Sequence, residues 1–403
     1  MSDIVVLDVL IGERRIGTLT RLPGDHTLFA FASDYVEDPG RPTLGLAFKD
    51  EFGGLIADSE PRRRRLPPFF SNLLPEGPMG DYLAARAGVK PEQEFALIRA
   101  LGRDLPGALR LLPADGREIA GAEPAAPRPR ARRGDGGALH FSLAGVQLKF
   151  SAVKKKQRGW TIRMDGTGGS WIVKLPSTIY PDVPENEFAM MELARRVGIE
   201  VPRTKLVPID EISGLPDGIT AAGANAFAIE RFDRTEDGGR VHIEDFAQVF
   251  GIYPEAKYKE KNYRSIARVL WTEDGRDAIE EFVRRLAFTV LIGNGDMHLK
   301  NWSLIYPDGR NAKLSPAYDF VSTVGYIKGD RLALNVTDSK AFAAVTLPEF
   351  ERFAAKARLP EKLVLDTARE TVARFREAWR DPPPMPDFVR RALDAHLATL
   401  PLL

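Results

Sequence analysis

The chain has 403 residues, with 57 Lys and Arg against 56 Asp and Glu and a formal net charge of +1. Near-neutrality gives no global electrostatic case for nucleic-acid binding, and the absence of cysteine excludes disulfides, cysteine–zinc sites and a thiol nucleophile. The length allows about two or three domains with ample core. With no signal-peptide pattern before Ile4-Val5-Val6-Leu7 and no run of about 18 apolar residues, the expectation is a cytoplasmic protein without membrane contact.

Short strands are expected at Ile4 to Leu10, Ile16 to Leu19 and Thr43 to Phe48, and helical spacing from about Pro67 to Leu101, making a small α+β module over 1-112. The cluster Arg62 to Arg65 reads as a solvated loop without a role. Pro, Ala, Gly and Arg dominate 113-137, a composition that suits a flexible linker.

A strand-rich unit is expected over 138-235. Leu139 to Val153 reads as two strand halves around a small-residue turn at Ala144-Gly145, where backbone N–H groups could approach phosphates. The sequence contains no G-x-x-x-x-G-K-[ST], so a P-loop NTPase is not supported. The run Gly166 to Gly169 reads as a hairpin turn between strands Trp160 to Met164 and Trp171 to Leu175. Lys174 on that second, apolar strand needs an anion, and Glu187 lies on the packed side of a helix with Met190, Met191 and Ala194. Each alone also suits an edge-strand lysine and a first-turn glutamate. Ala226 to Arg234 reads as a strand entering a polar turn.

A helical unit is expected over 236-403, with helices at Glu244 to Phe250, Tyr263 to Leu270, Leu347 to Ala357, Pro360 to Trp379 and Pro386 to Leu397. The helix Arg276 to Leu291 carries one apolar stripe through Ile279, Phe282, Val283, Leu286, Ala287, Val290 and Leu291. It ends in Gly293-Asn-Gly-Asp296-Met-His-Leu-Lys-Asn301, where the glycines can stop the helix and turn sharply. Asp296 with Asn301 has the arrangement of a protein-kinase catalytic loop, base and metal ligand, although the same residues suit an ordinary turn. Two strand-like runs, Trp302 to Tyr306 and Ala312 to Tyr318, then bring Asp319 toward the same point. Two such oxygen ligands beside nucleotide phosphates suit magnesium.

Taken in order, Ser142-Leu-Ala-Gly-Val-Gln-Leu-Lys149, Ile172-Val-Lys-Leu-Pro176, Glu187, Glu230-Arg-Phe-Asp-Arg234, Asp296 to Asn301 and Tyr318-Asp319 resemble the HipA-like serine/threonine kinases, toxins of bacterial toxin–antitoxin pairs. Pro68 to Gly77 and Gly102 to Ala108 resemble that family's N-terminal subdomain. The resemblance implies an α+β fold, a two-lobed kinase with an N-terminal α+β subdomain, using ATP and Mg2+. It implies Asp296 as base, Asn301 and Asp319 as metal ligands, and Lys174 on the phosphates with Glu187 as its ion-pair partner. Ala144, Gly145, Val146, Gln147, Leu148 and Lys149 would form the phosphate loop, and Glu230, Arg231 and Phe232 the adenine hinge. His298, Leu299, Lys300 and Tyr318 would complete the nucleotide site, and Ser142 would be the autophosphorylated residue. The chain departs from the Asp-Phe-Gly pattern of other kinases by having Val321 after Phe320.

The resemblance further implies a helix-turn-helix (HipB-like) antitoxin, operator DNA reached through it, and a protein substrate that in relatives includes aminoacyl-tRNA synthetases. A nucleotide-binding co-repressor and a kinase of small hydroxylated molecules are the alternatives. Retention of Lys174, Asp296, Asn301 and Asp319 favours an active protein kinase.

Overall fold

In the computed structural model, the described residues are 4–115, 148–154, 159–162, 169–215 and 223–403. Ser142, Ala144, Gly145, Val146 and Gln147 lie outside them, as does most of the segment expected to be a linker.

Alternating burial organises the first sheet. Its strands β1 (Val5–Ile11), β2 (Arg14–Leu22), β3 (His26–Phe31), β4 (Arg62–Arg63) and β5 (Leu109–Pro113) pair antiparallel in the order β4-β3-β2-β1-β5. Leu7, Val9, Ile16, Leu19, Phe29, Leu109 and Leu111 share one core, as a sheet with a single packed face requires. Helices α1 (Ser33–Glu37), α2 (Pro68–Ser71), α3 (Gly77–Arg86) and α4 (Glu94–Leu101) accompany it. Phe69 and Phe70 of α2 and Leu97 and Ile98 of α4 enter that core, whereas Met79 of α3 packs into the core of the next sheet.

Thr43 to Phe48 corrects a strand expectation. The backbone N–H of Thr43 donates to Gly309 O at 2.8 Å and that of Leu46 to Glu244 Oε1 at 2.9 Å. Donors spent on the far end of the chain leave no sheet ladder, and Leu46–Phe48 form a 3-10 turn. Arg65 is likewise engaged: it donates to both oxygens of Glu255, at 2.5 and 3.0 Å, and its guanidinium lies 3.7 Å from the Tyr253 ring centroid.

The second sheet contains β6 (Lys149–Lys154), β7 (Trp160–Ile162), β8 (Trp171–Lys174), β9 (Thr204–Pro208), β10 (Ile212–Ser213) and β11 (Asn225–Glu230), in the order β10-β7-β6-β8-β11-β9. Because β6 lies between β7 and β8, those two strands are not paired as the hairpin reading expected, and β7 pairs with β6 instead; Gly166 to Gly168 lie outside the described residues. Helix α5 (Val183–Val197) turns Met190, Met191 and Ala194 inward, and Glu187 with them.

The remainder is mainly helical: α6 (Phe246–Val249), α7 (Tyr263–Glu273), α8 (Arg276–Leu291), α9 (Leu347–Ala357), α10 (Glu361–Ala378) and α11 (Asp387–Leu397). The stripe read on α8 is fully buried, and Phe288 and Thr289 are buried too, so this helix is enclosed on more than one side. Each fully buried Phe or Leu there contributes roughly 1.5–3 kcal/mol. A three-stranded sheet, β12 (His242–Asp245), β13 (Ser303–Tyr306) and β14 (Lys313–Leu314), corrects the helix expected from Glu244. The strand runs into α6 because Asp245 is its N-cap, accepting from Gln248 N at 2.9 Å while Gln248 Oε1 accepts from Asp245 N.

Buried polar contacts join the first sheet's module to the rest. Asp104 accepts from Arg234 Nη2 at 2.9 Å and from Ser151 Oγ at 3.2 Å, and Gly107 N donates to Asp233 Oδ2 at 2.8 Å. Arg231 forks onto Asp233 at 2.9 and 2.8 Å. His242 Nε2 lies 2.7 Å from Leu44 O, and Glu244 takes both Leu46 N–H and the Tyr306 hydroxyl.

This interface sets a pH dependence. Burial pushes the Glu244 carboxyl from 4.5 up to about 8 and His242 from 6.5 down to about 4. The folded state therefore holds the Glu244 proton where the unfolded chain has lost it, so this group's stability contribution falls as pH rises from about 4.5 to about 8. His242 acts oppositely, adding stability as pH rises from about 4 to 6.5, and so leaves the upper window to Glu244. Urea unfolding at pH 6.5 and 8 is expected to show a loss in the wild type, at most about 1.4 kcal/mol per pH unit from this group. Glu244→Gln should flatten it; equal slopes would assign the dependence elsewhere.

Candidate active site

The site is built around a cation in a sheet. Lys174 ends β8, opposite Phe227 of β11 and Lys149 of β6. Its side chain is buried, and an ammonium there requires anions. Two carboxylates from distant elements supply them: Glu187 Oε1 of α5 accepts from Nζ at 2.5 Å, and Asp319 Oδ1 accepts as well. Burial disfavours the lysine's charged form, but Asp319 and Glu187 outweigh it and raise its pKa. Burial opposes the Asp319 carboxylate too, and Lys174 with Lys149 holds it below the usual range. Glu187 is pushed up by burial against the pull of Lys174.

The loop after α8 is fixed by its own backbone. Gly293 has φ of +59°, the left-handed conformation that ends the helix. Gly295 is required for space: a Cβ would lie 2.4 Å from Asp330 Oδ2 and 2.6 Å from Arg331 O. Gly295 N donates to Thr323 Oγ1 at 2.7 Å, and Asp296 N to Asn294 Oδ1 at 2.9 Å. Tyr263 donates its hydroxyl to Met297 O at 3.0 Å, and Asn301 Nδ2 donates to Asp296 O at 2.8 Å. Asp296 is thus held within its turn, buried, with its Oδ1 accepting from the Tyr258 hydroxyl. His298 stands beside it, Nε2 at 3.9 Å, its ring against Tyr258. Burial first, then Lys257, lowers the His298 pKa far enough to keep it neutral at pH 7.

Asp319 adopts φ of +58°, a strained conformation for a residue with a side chain. Its neighbours hold it there. Asn294 Nδ2 donates to Asp319 O at 3.4 Å, Tyr318 donates to Lys300 O at 3.0 Å, and Phe320 is buried against Phe288 with centroids 5.0 Å apart. Phe320 provides this anchor with Val321 in the following position.

Lys174, Glu187, Asp296, Asn301, Tyr318 and Asp319 therefore converge, as do His298 and Lys300 of the same loop. Leu148 and Lys149 adjoin Lys174: Leu148 O accepts from Leu175 N at 2.8 Å. Of the residues expected at the hinge, Phe232 packs near Tyr318 with centroids 5.7 Å apart. Glu230 pairs with Arg203 at 2.5 Å, and the Arg231 side chain is taken by Asp233. Sequence reading missed Tyr258, Lys257 and Glu76, the last within the first module. Glu76 accepts from Lys300 Nζ at 2.6 Å and from Lys257 Nζ at 2.8 Å. Glu76 lay within the Pro68 to Gly77 motif without a role assigned to it, and Lys257 and Tyr258 fall in an irregular segment without a period to interpret.

The donor set fits a hard cation such as magnesium, which takes few protein oxygens. Asn301 directs its amide nitrogen inward to Asp296 O, leaving its amide oxygen available, and the Asp319 carboxylate is held by a lysine that could exchange it for phosphate.

Comparison with known proteins shows the family and the fold. The HipA-like C-terminal domain family matches residues 141–379, and the HipA N-terminal domain family matches residues 7–112. Y4dM of Sinorhizobium fredii (strain NBRC 101917 / NGR234), whose name carries an inferred kinase activity, is 54% identical over 100% of this chain and 98% of its own. The serine/threonine-protein kinase toxin HipA of Shewanella oneidensis (strain MR-1) is 26% identical over 93% of this chain and 88% of its own. The solved complex of Shewanella oneidensis MR-1 HipA, HipB and operator DNA superposes with a TM-score of 0.74 at 23% identity, covering 98% of this chain and 96% of that one. That likeness shows the two-lobed kinase-like fold.

The buried pair makes a stability test possible. Lys174→Met strands the carboxylates and is expected to cost about 3–5 kcal/mol in chemical denaturation. Adding Glu187→Gln should recover part of that loss, because one stranded charge is then removed. Strictly additive losses would show that the two side chains are not coupled.

Proposed function

Because this chain belongs to the HipA-like kinase family, we propose that it is a serine/threonine protein kinase acting as the toxin of a toxin–antitoxin pair. In this reading it transfers the γ-phosphoryl group of ATP to a protein hydroxyl. The observation that carries the reading is the convergence of Asp296, Asn301, Asp319 and the Lys174–Glu187 pair, five residues from four separate elements.

Asp296 takes the proton of the substrate hydroxyl, oriented by the Tyr258 hydroxyl on its Oδ1. Lys174 keeps Glu187 and turns its remaining N–H groups from Asp319 to the phosphates, so closing of the site exchanges one anion for another. Asn301 and Asp319 would hold a Mg2+ ion, which when bound would supply charge neutralisation at the phosphoryl oxygens. Leu148 and Lys149 begin the edge that faces the phosphates, with Ala144 to Gln147 before them, and Phe232 and the backbone of 230–232 form the adenine side. Neutral His298 cannot compete as a second charged donor at Asp296.

The similarity to a HipA solved with HipB and operator DNA supports a helix-turn-helix antitoxin as partner and operator DNA through it. Autophosphorylation of Ser142, a cytoplasmic location and an aminoacyl-tRNA synthetase as substrate belong to the same proposal. In labelled ATP with cell lysate, the wild type is expected to label protein. Asp296→Asn should lose about 10²-fold or more of the transfer while retaining nucleotide. Comparable labelling by the variant would remove Asp296 as base, and no labelling by the wild type would overturn the kinase reading.

A further inference from the structure

Glu76 lies in the first module, in the turn between α2 and α3, and with Asn72 it touches the catalytic loop. Its two carboxylate oxygens are divided between two lysines: Oε1 accepts from Lys300 Nζ at 2.6 Å and Oε2 from Lys257 Nζ at 2.8 Å. Lys300 is four residues past the base, and Lys257 immediately precedes Tyr258, whose hydroxyl donates to Asp296. The same two segments also meet directly, Leu299 N donating to Lys257 O at 3.4 Å.

Neighbouring residues reinforce this closed circuit. Asn72 O accepts from Lys300 Nζ at 3.1 Å, and Asn72 Nδ2 donates to Ile252 O at 2.7 Å, in the loop that leads to Tyr258. Lys340 Nζ donates to Tyr258 O at 2.9 Å from the opposite side. Both lysine side chains are largely buried, at 12% and 14% exposure, so their charges are poorly screened by water and repel one another unless an anion stands between them. Burial opposes the Glu76 carboxylate, yet Lys300 and Lys257 hold its pKa down to about 2.

We propose that Glu76 is a positioning residue for phosphoryl transfer: by bridging Lys257 and Lys300 it fixes the Tyr258 loop against the catalytic loop and so sets the Asp296 carboxylate. The N-terminal module thereby contributes to turnover without touching substrate. Loss of the bridge leaves Lys257 and Lys300 without their shared anion, which lets the Tyr258 loop move relative to the catalytic loop. The inference rests on the kinase reading for its effect on turnover, but not for the effect on loop order.

Glu76→Gln keeps the shape and removes the charge. Measured on the full chain, its kcat is expected to fall about tenfold or more while KM for ATP stays within about twofold. Amide exchange at 256–260 and 296–301 should rise selectively while the rest of the core stays protected, and the thermal midpoint should fall because the two lysines lose their shared anion. A kcat within about twofold of wild type with unchanged exchange would overturn the proposal. So would a parallel loss of kcat and ATP affinity with exchange raised throughout the chain, the signature of general unfolding. Absence of phosphotransfer in the wild type itself would sink the kinase reading instead, and the exchange experiment would still decide whether Glu76 orders the two loops.

Discussion

The structure depends on keeping one ammonium ion out of water. Lys174 sits in the middle of the second sheet, and its charge is tolerable only because α5 brings Glu187 and the segment after β14 brings Asp319. Those two anions come from opposite sides of the cleft. The ion pair therefore does mechanical as well as electrostatic work: it joins the sheet, its helix and the helical unit at one point. Its cost in desolvation is justified by function more readily than by stability, since apolar residues of similar volume would pack as well.

The same logic governs the contact between the N-terminal module and the rest. That interface contains polar contacts as well as apolar surface: Asp104 with Arg234, Glu244 with Leu46 N–H, and Glu76 with Lys257 and Lys300. Directional contacts of this kind fix one docking geometry where apolar packing alone would accept several. Two of them fall at functional places, the Asp104 cluster behind the hinge strand and Glu76 beneath the catalytic loop.

Local pattern carried a large part of this into the sequence. The stripe on α8, the inward Glu187, and the order of Lys174, Asp296, Asn301 and Asp319 were legible because helical period and glycine punctuation are short-range signals. What failed was long-range. Thr43 to Phe48 has strand composition, but its N–H groups serve residues some two hundred positions later. β12 was hidden because Asp245 both ends a strand and caps a helix. Arg65 had the appearance of a solvated charge because Glu255 and Tyr253 are remote in sequence. Lys257, Tyr258 and Glu76 occupy irregular segments, where no period marks a functional side chain. The strand proposed as the hinge was legible, yet Arg231 is committed to Asp233, a choice made by the folded neighbours of that strand.

In the proposed kinase reading, closure of the site is a change of partner at Lys174. A crystal structure of the full chain with Mg2+ and a non-hydrolysable ATP analogue tests it most directly. Lys174 Nζ is expected to retain Glu187, to leave Asp319 and to contact a phosphate oxygen, with Asp319 and the Asn301 amide oxygen on the metal. A complex in which the nucleotide is bound while Lys174 remains paired with Asp319 would contradict the account.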